Sequence, residues 1–152
     1  MTTFTYNSEE EVIHAALHIM ESKTITGDYF KTVAATSQYF KLRLASLERE
    51  IFSVMYLNNQ HQMITTEDVF CGTIDEVSIH PREIVKAALL HNAAAVVFSH
   101  NHPSGSVEPS SNDRRVTVRL MEALGLVGIR VLDHIIVTQR QTFSFAEEGL
   151  LY

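Results

Sequence analysis

Cysteine is nearly absent: Cys71 is the only one in 152 residues. No intramolecular disulfide can form, and a cysteine-rich zinc site is excluded. Cys71 itself is expected to be a small, semi-buried residue beside Gly72, because free cysteine packs like a small hydrophobe. The chain also lacks any run of the ~18 apolar residues that a bilayer-spanning helix requires. Its first residues, MTTFTYNSEE, carry neither the basic segment nor the apolar stretch of a signal peptide. The cytoplasm is therefore the expected compartment, with no membrane partner. A positive balance is missing too, since net charge is −6 and the pI about 5.7. That argues against broad binding to a phosphate backbone, which calls for a basic face. The local groups Lys41, Arg43, Arg49 and Arg114, Arg115, Arg119 are read as solvated helix faces. Internal repeats and low-complexity tracts are absent.

What is present suits one domain, for which roughly 100–200 residues is usual. Apolar residues make up 45% and charged residues 20%. A chain of this size buries roughly 70% of its unfolded surface and needs no metal to fold, so a metal site would be functional first. Ser8-Glu9-Glu10-Glu11 predicts a helix to about Glu21, with acidic residues at its positive end. Ile25-Thr26-Gly27-Asp28 is a break. A second helix is predicted from about Asp28 to Leu47, interrupted near Thr36-Ser37. Ile51 to Leu57 reads as a strand ending at Asn58-Asn59, with Gln62–Thr66 as its hairpin partner and Val69–Thr73 as a weaker strand. Pro81 opens a helix where its missing N–H costs nothing. His80 and His91 flank that helix as capping residues. Ala93 to Ser99 is apolar throughout and reads as a strand buried on both faces. A helix follows His100–Asp113 and ends at Gly125. Gly128–Thr138 and Thr142–Phe145 look like final strands. This alternation defines an α/β (α+β) fold around a mixed sheet.

The chemistry concentrates in SHNHPSGSVEPSSND, residues 99–113. Alternate residues of an extended segment point the same way, so His100 and His102 face one point while Asn101 turns away. Asp113 lies in the first turn of the next helix and can reach back. Two imidazoles and a carboxylate suit Zn²⁺, and three protein ligands leave the fourth tetrahedral position to water. Such a water needs a base. Glu50 stands at the start of the Ile51–Leu57 strand and Glu48 two residues earlier; residue type alone does not separate them. Ser110 can cap the helix or donate a hydrogen bond to an oxyanion, and Ser111 is a second hydroxyl beside it. Ser104–Pro109 is expected to form a mobile rim. His14, His18 and His61 have no partner pattern and read as surface or packing residues.

At these residues the chain resembles a known family. His100-x-His102, seven intervening residues beginning with Pro103, then Ser110-x-x-Asp113 looks like the JAMM motif of JAB/MPN metalloproteases. The longer strings HNHPSG, PSSND and LDHIIV resemble the RadC branch of that superfamily. The resemblance spans about Leu44 to Leu151, so residues 1–43 are expected to form an N-terminal helical segment and residues 44–152 the JAB/MPN domain. It implies a cytidine-deaminase-like fold, a mixed central sheet flanked by helices. It implies one zinc ion with His100, His102 and Asp113 as ligands. The family's upstream glutamate precedes its strand as E-x-F, which Glu50-Ile51-Phe52 matches and Glu48-Arg49-Glu50 does not. The resemblance thereby assigns catalysis to Glu50 and gives Ser110 the stabilisation of the tetrahedral intermediate. RadC proteins commonly carry an N-terminal helix-hairpin-helix domain, and residues 1–43 show no hairpin glycine pattern. Asp133-His134 in LDHIIV reads either as a pair orienting a ligand histidine or as a structural pair at a strand bulge.

Three functions compete. The first is a zinc metalloprotease or isopeptidase-like hydrolase acting on a protein or peptide substrate. The second is a protein of DNA repair or recombination with a structural or vestigial zinc, a nucleic-acid partner that the charge does not favour. The third, a zinc deaminase, needs H-x-E with P-C-x-x-C, and neither is present. The substrate and the oligomeric state stay open.

Overall fold

The computed structural model describes residues 3–24, 29–74 and 78–151. The break expected at Ile25–Asp28 lies outside the described residues. Helix α1 covers Glu9–Thr24, a turn beyond the expected end at Glu21. Ser8 Oγ accepts the Glu11 N–H, and the Glu11 carboxylate accepts the Asn7 N–H, which closes the helix start. A 3-10 turn, Tyr29–Lys31, leads into α2, Val33–Leu44. The interruption expected at Thr36-Ser37 falls earlier. Thr32 is the N-cap, its hydroxyl accepting the Ala35 N–H, and Thr36 merely bonds back to the Thr32 carbonyl within a continuous helix.

Strands β1 (Ile51–Leu57) and β2 (Met63–Cys71) form an antiparallel hairpin. Asn58 closes it: its Oδ1 accepts the Gln60 and Gln62 N–H groups. The two short strands expected at 62–66 and 69–73 are one. Phe52 pairs with Phe70 and Ser53 with Asp68, so Val69 is an extra residue that breaks the alternation. Cys71, at the end of β2, is exposed, a correction to its expected half-burial. Helix α3 (Pro81–Leu90) leads to β3 (Ala95–Asn101), α4 (Ser111–Gly125), β4 (Arg130–Val137) and β5 (Thr142–Ser144). The sheet order is β2-β1-β3-β4-β5, and only β3 and β4 run parallel. This is the mixed α/β fold expected. Strand β3 starts two residues later than predicted, so His100 and Asn101 belong to the strand itself.

Period-two alternation sends side chains to two cores. Phe52, Val54, Tyr56, Val96 and Phe98 pack with Ile84 and Ala88 of α3 and Val116, Leu120 and Leu124 of α4. Met55, Leu57, Val97, Ile135 and Val137 pack with Tyr39, Phe40 and Leu44 of α2 on the opposite face. Each fully buried large side chain contributes about 1.5–3 kcal/mol. The central strands β1 and β3 are thereby held from both sides, and the residues at the end of β3 inherit that rigidity. Among the described residues no helix is long and apolar enough to cross a membrane.

Candidate metal centre

His100 is the penultimate residue of β3, fully buried, and paired in register with Phe52 of β1 and Ile136 of β4. Beyond the strand, the His102 N–H donates to the Val137 carbonyl at 2.9 Å. A turn follows, closed by Gly105 N–H to the His102 carbonyl at 3.0 Å, with Pro103 in its second place and Gly105 at φ +88°. The turn returns the Ser106 carbonyl to His102 Nδ1, 2.7 Å away. The expected rim is thus tied to one of the histidines it surrounds.

Asp113 comes from the first turn of α4. Ser110 is the N-cap, its Oγ accepting the Asp113 N–H at 3.0 Å, while Asp113 Oδ2 accepts the Ser110 N–H at 2.7 Å. This reciprocal capping box fixes the carboxylate's rotamer. Asp113 Oδ1 stands 3.2 Å from His100 Nε2 and Oδ2 3.3 Å from His102 Nε2; the two Nε2 atoms are 2.8 Å apart. Ligand atoms from all three residues lie within 4.8 Å of one another, the arrangement of a cluster able to hold a metal ion. Donors on a tetrahedral zinc at its usual bond lengths stand roughly 3.3 Å apart. The two carboxylate-to-imidazole separations and the donor types fit, and the two imidazole nitrogens stand about half an ångström closer than that spacing.

Electrostatics follow from burial and proximity. Burial holds His100 below the ordinary imidazole range. Burial would lower His102 as well, but the Asp113 carboxylate and the Ser106 carbonyl outweigh it, and its protonation is favoured. Burial opposes ionisation of Asp113 too; the two imidazoles that face it and the Ser110 N–H outweigh burial and hold the carboxyl far below its usual range. Glu50 is close enough to both histidines to favour their charged forms. Half-buried, it is pinned twice: its Oε2 accepts the Ile74 N–H at 3.2 Å and its carbonyl the Gly72 N–H at 2.9 Å. Glu48 is exposed and lines a polar cleft of about 490 Å³ with His102, Ser104 and Arg140.

Asn101 does turn away, toward the segment before β1. The Asp133-His134 pair divides its work. His134 Nε2 lies 2.8 Å from His100 Nδ1, and His134 Nδ1 lies 2.6 Å from Thr117 Oγ1. Asp133 instead accepts from the His134 and Ala146 N–H groups and from the Ser144 hydroxyl. Sequence reasoning passed over Thr117, although its place four residues after Asp113 on one helix face was a signal. Other histidines stay apart from the centre. His14 and His18 are exposed on α1, and His61 Nε2 meets an Arg130 guanidinium nitrogen at 3.0 Å. His80 occupies the N-cap position of α3, but its side chain makes no capping bond; His91 points to Glu67. Their expected side-chain capping is therefore replaced by position alone. Of the basic groups, Arg43 is paired with Asp68 and Glu21 and does not form a solvated stripe.

A mixed sheet with helices on both faces, presenting two histidines and an aspartate at a strand end, defines a candidate mononuclear metal protein. The family described as "RadC-like JAB domain" matches residues 30–150, and the chain belongs to it. It is 58% identical over 125 residues to UPF0758 protein YeeS of Escherichia coli K12, covering 82% of this chain and 84% of that one. A UPF0758 protein of Vibrio cholerae serotype O1 is 49% identical over 143 residues, 94% and 90% of the two chains. A longer relative from Nitrosococcus oceani is 52% identical over 132 residues, which make up 87% of this chain and 59% of that protein.

Proposed function

We propose that this protein is a zinc-dependent hydrolase of peptide or isopeptide bonds, with one zinc ion held by His100, His102 and Asp113. The observation that carries the reading is the convergence of those three donors, with Glu50 near enough to act on both histidines and His102 lining a polar cleft. When bound, zinc supplies a Lewis acid and makes water a nucleophile near neutral pH. Glu50 is the general base: its carboxylate takes a proton from the attacking water and delivers it to the departing amine. The Ile74 N–H occupies one carboxylate oxygen, and the other oxygen is the natural proton acceptor. Ser110 spends only an acceptor lone pair on the helix cap. Its O–H is available to donate to the oxyanion of the attacked carbonyl. The cleft beside His102 would seat a protein or peptide substrate, its polar walls offering partners to an extended main chain.

Two measurements test the proposal. Elemental analysis of purified protein should find one zinc per chain, and none in His100→Ala/His102→Ala. Zinc-loaded protein incubated with a peptide library and followed by mass spectrometry should yield new termini that Glu50→Gln does not produce. Equal zinc in wild type and double variant removes the metal reading. Zinc uptake with no cleavage in any library, linear or branched at lysine, removes the hydrolase reading.

A further inference from the structure

We propose that His134 and Thr117 are positioning residues that fix the tautomer of His100, leaving its Nε2 lone pair as the metal donor. The inference rests on the metal reading above and follows from counting hydrogens along four buried contacts. Thr117 Oγ1 is 2.6 Å from the Asp113 carbonyl and 2.6 Å from His134 Nδ1. A carbonyl only accepts, and the hydroxyl has one hydrogen. If that hydrogen went to His134, two oxygen acceptors would face each other at 2.6 Å with nothing between them, in a buried place. The hydroxyl therefore donates to the Asp113 carbonyl, and His134 Nδ1–H donates to the hydroxyl.

The rest is forced. With its hydrogen on Nδ1, neutral His134 presents an Nε2 lone pair to His100 Nδ1, 2.8 Å away. His100 must supply the hydrogen of that bond from Nδ1. Its Nε2 lone pair then faces Asp113 Oδ1 and His102 Nε2, a cluster of acceptors with no hydrogen among them that a bound cation would satisfy. His102 reaches the same state by a shorter route, since the Ser106 carbonyl claims its Nδ1–H. Both imidazoles so offer Nε2 to one point, and which nitrogen binds metal is set by the bond the other makes. The chain of contacts also closes on itself. Asp113 receives the Thr117 proton at its backbone carbonyl and faces His100 with its carboxylate, so the ligands from β3 and α4 are locked to each other through β4.

A strand irregularity makes this possible. Val96 pairs with Val131 but Val97 with Asp133, so Leu132 is an extra residue in β4. Before it, the odd-numbered Val131 packs on the α3–α4 face. After it, the odd-numbered Ile135 and Val137 pack on the α2 face, and His134 turns to α4. Without the extra residue the parity would reverse, and Asp133 would take the place next to His100.

The test reads tautomers and zinc affinity separately. In metal-free, ¹⁵N-labelled wild type above the imidazole titration range, long-range proton–nitrogen correlation spectra should show His100 and His134 both as Nδ1–H. Zinc affinity, with zinc alone competed against a chelator, should fall roughly 10- to 100-fold in Thr117→Val, and Thr117→Ser should restore it. Valine keeps the shape of threonine and serine keeps its hydroxyl, so a packing role predicts the opposite order. An Nε2–H tautomer at His100 in protein that takes up zinc overturns the relay alone, as does unchanged affinity in Thr117→Val. Wild type that takes up no zinc overturns the metal centre itself, whatever the tautomers.

Discussion

Asn101 Oδ1 accepts the Ile51 N–H at 2.7 Å, tying the residue between the two histidines to the first residue after Glu50. Asn101 Nδ2 completes the clamp by donating to the Arg49 and Leu47 carbonyls at 2.8 and 3.2 Å. One buried amide thus holds the segment that carries both candidate glutamates against the strand that carries the histidines. Asn101→Ala would orphan a backbone donor and two acceptors. Denaturant melts should show a loss of about 2–3 kcal/mol, the scale of unpaired buried polar groups. Zinc content should hold, because no ligand moves with the amide, while peptide cleavage falls as Glu50 loses its anchor. A variant that loses zinc and keeps its stability would contradict this division.

Glu50 and Glu48 part company in the same way. Glu50 acts on both histidines and is fixed by two backbone bonds; Glu48 is exposed on the cleft wall. Glu50→Gln keeps the bond to the Ile74 N–H through its amide oxygen and removes only the basic oxygen. Cleavage should fall roughly 10²- to 10⁴-fold, the usual span of a general base, with zinc content unchanged. Glu48→Gln should stay within a fewfold of wild type. Reversal of the two effects would transfer the role to Glu48.

The parts of the site legible in the sequence are those set by local periodicity. His100 and His102 are two apart on extended chain and converge, and Ser110 and Asp113 are three apart at a helix start and cap each other. Both relations depend on spacing alone. The hidden parts depend on extra residues in strands. Val69 split β2 into two apparent segments, and Leu132 reversed the parity of β4, which decides whether Asp133 or His134 meets His100. A bulge leaves no composition signature in either place. The contact between His100 and His134 spans 34 positions and needs the parallel pairing of β3 with β4 to exist at all. Likewise α2 begins just after Thr32 because that hydroxyl finds the Ala35 N–H; Thr36, an equally good capping residue by type, is spent inside the helix.

Ser110 caps α4 through its oxygen, and the proposed function gives its hydrogen a second, separable duty toward an oxyanion. Glycine is nearly as good an N-cap as serine and costs only a few tenths of a kcal/mol, whereas alanine costs about 1 kcal/mol. Ser110→Gly should therefore melt close to wild type and Ser110→Ala detectably lower. Both should lose cleavage about equally, roughly 10²- to 10³-fold as for a removed oxyanion donor. If cleavage tracks stability, with glycine active and alanine impaired, the serine is a cap and nothing more.

Asp133 supplies a pH dependence that no metal confounds. Burial raises its carboxyl above the ordinary range, against the bonds it accepts from Ser144, Ala146 and His134. A folded-state value above the unfolded one means that the native protein holds this proton more tightly than the unfolded chain. The resulting stabilisation is complete below the unfolded carboxylate range and is lost as pH rises through the raised folded value. Asp133→Asn should retain the three contacts: its oxygen accepts the two N–H groups, and its amide donates to the Ser144 oxygen. The variant should therefore equal wild type at acid pH, where Asp133 is neutral, and exceed it at neutral pH, where wild type must bury a charge. Paired denaturant melts of metal-free protein at an acid and a neutral pH measure the difference. A variant weaker than wild type at neutral pH would show that the ionised carboxylate, with its three donors, stabilises the β4–β5 corner in spite of its burial.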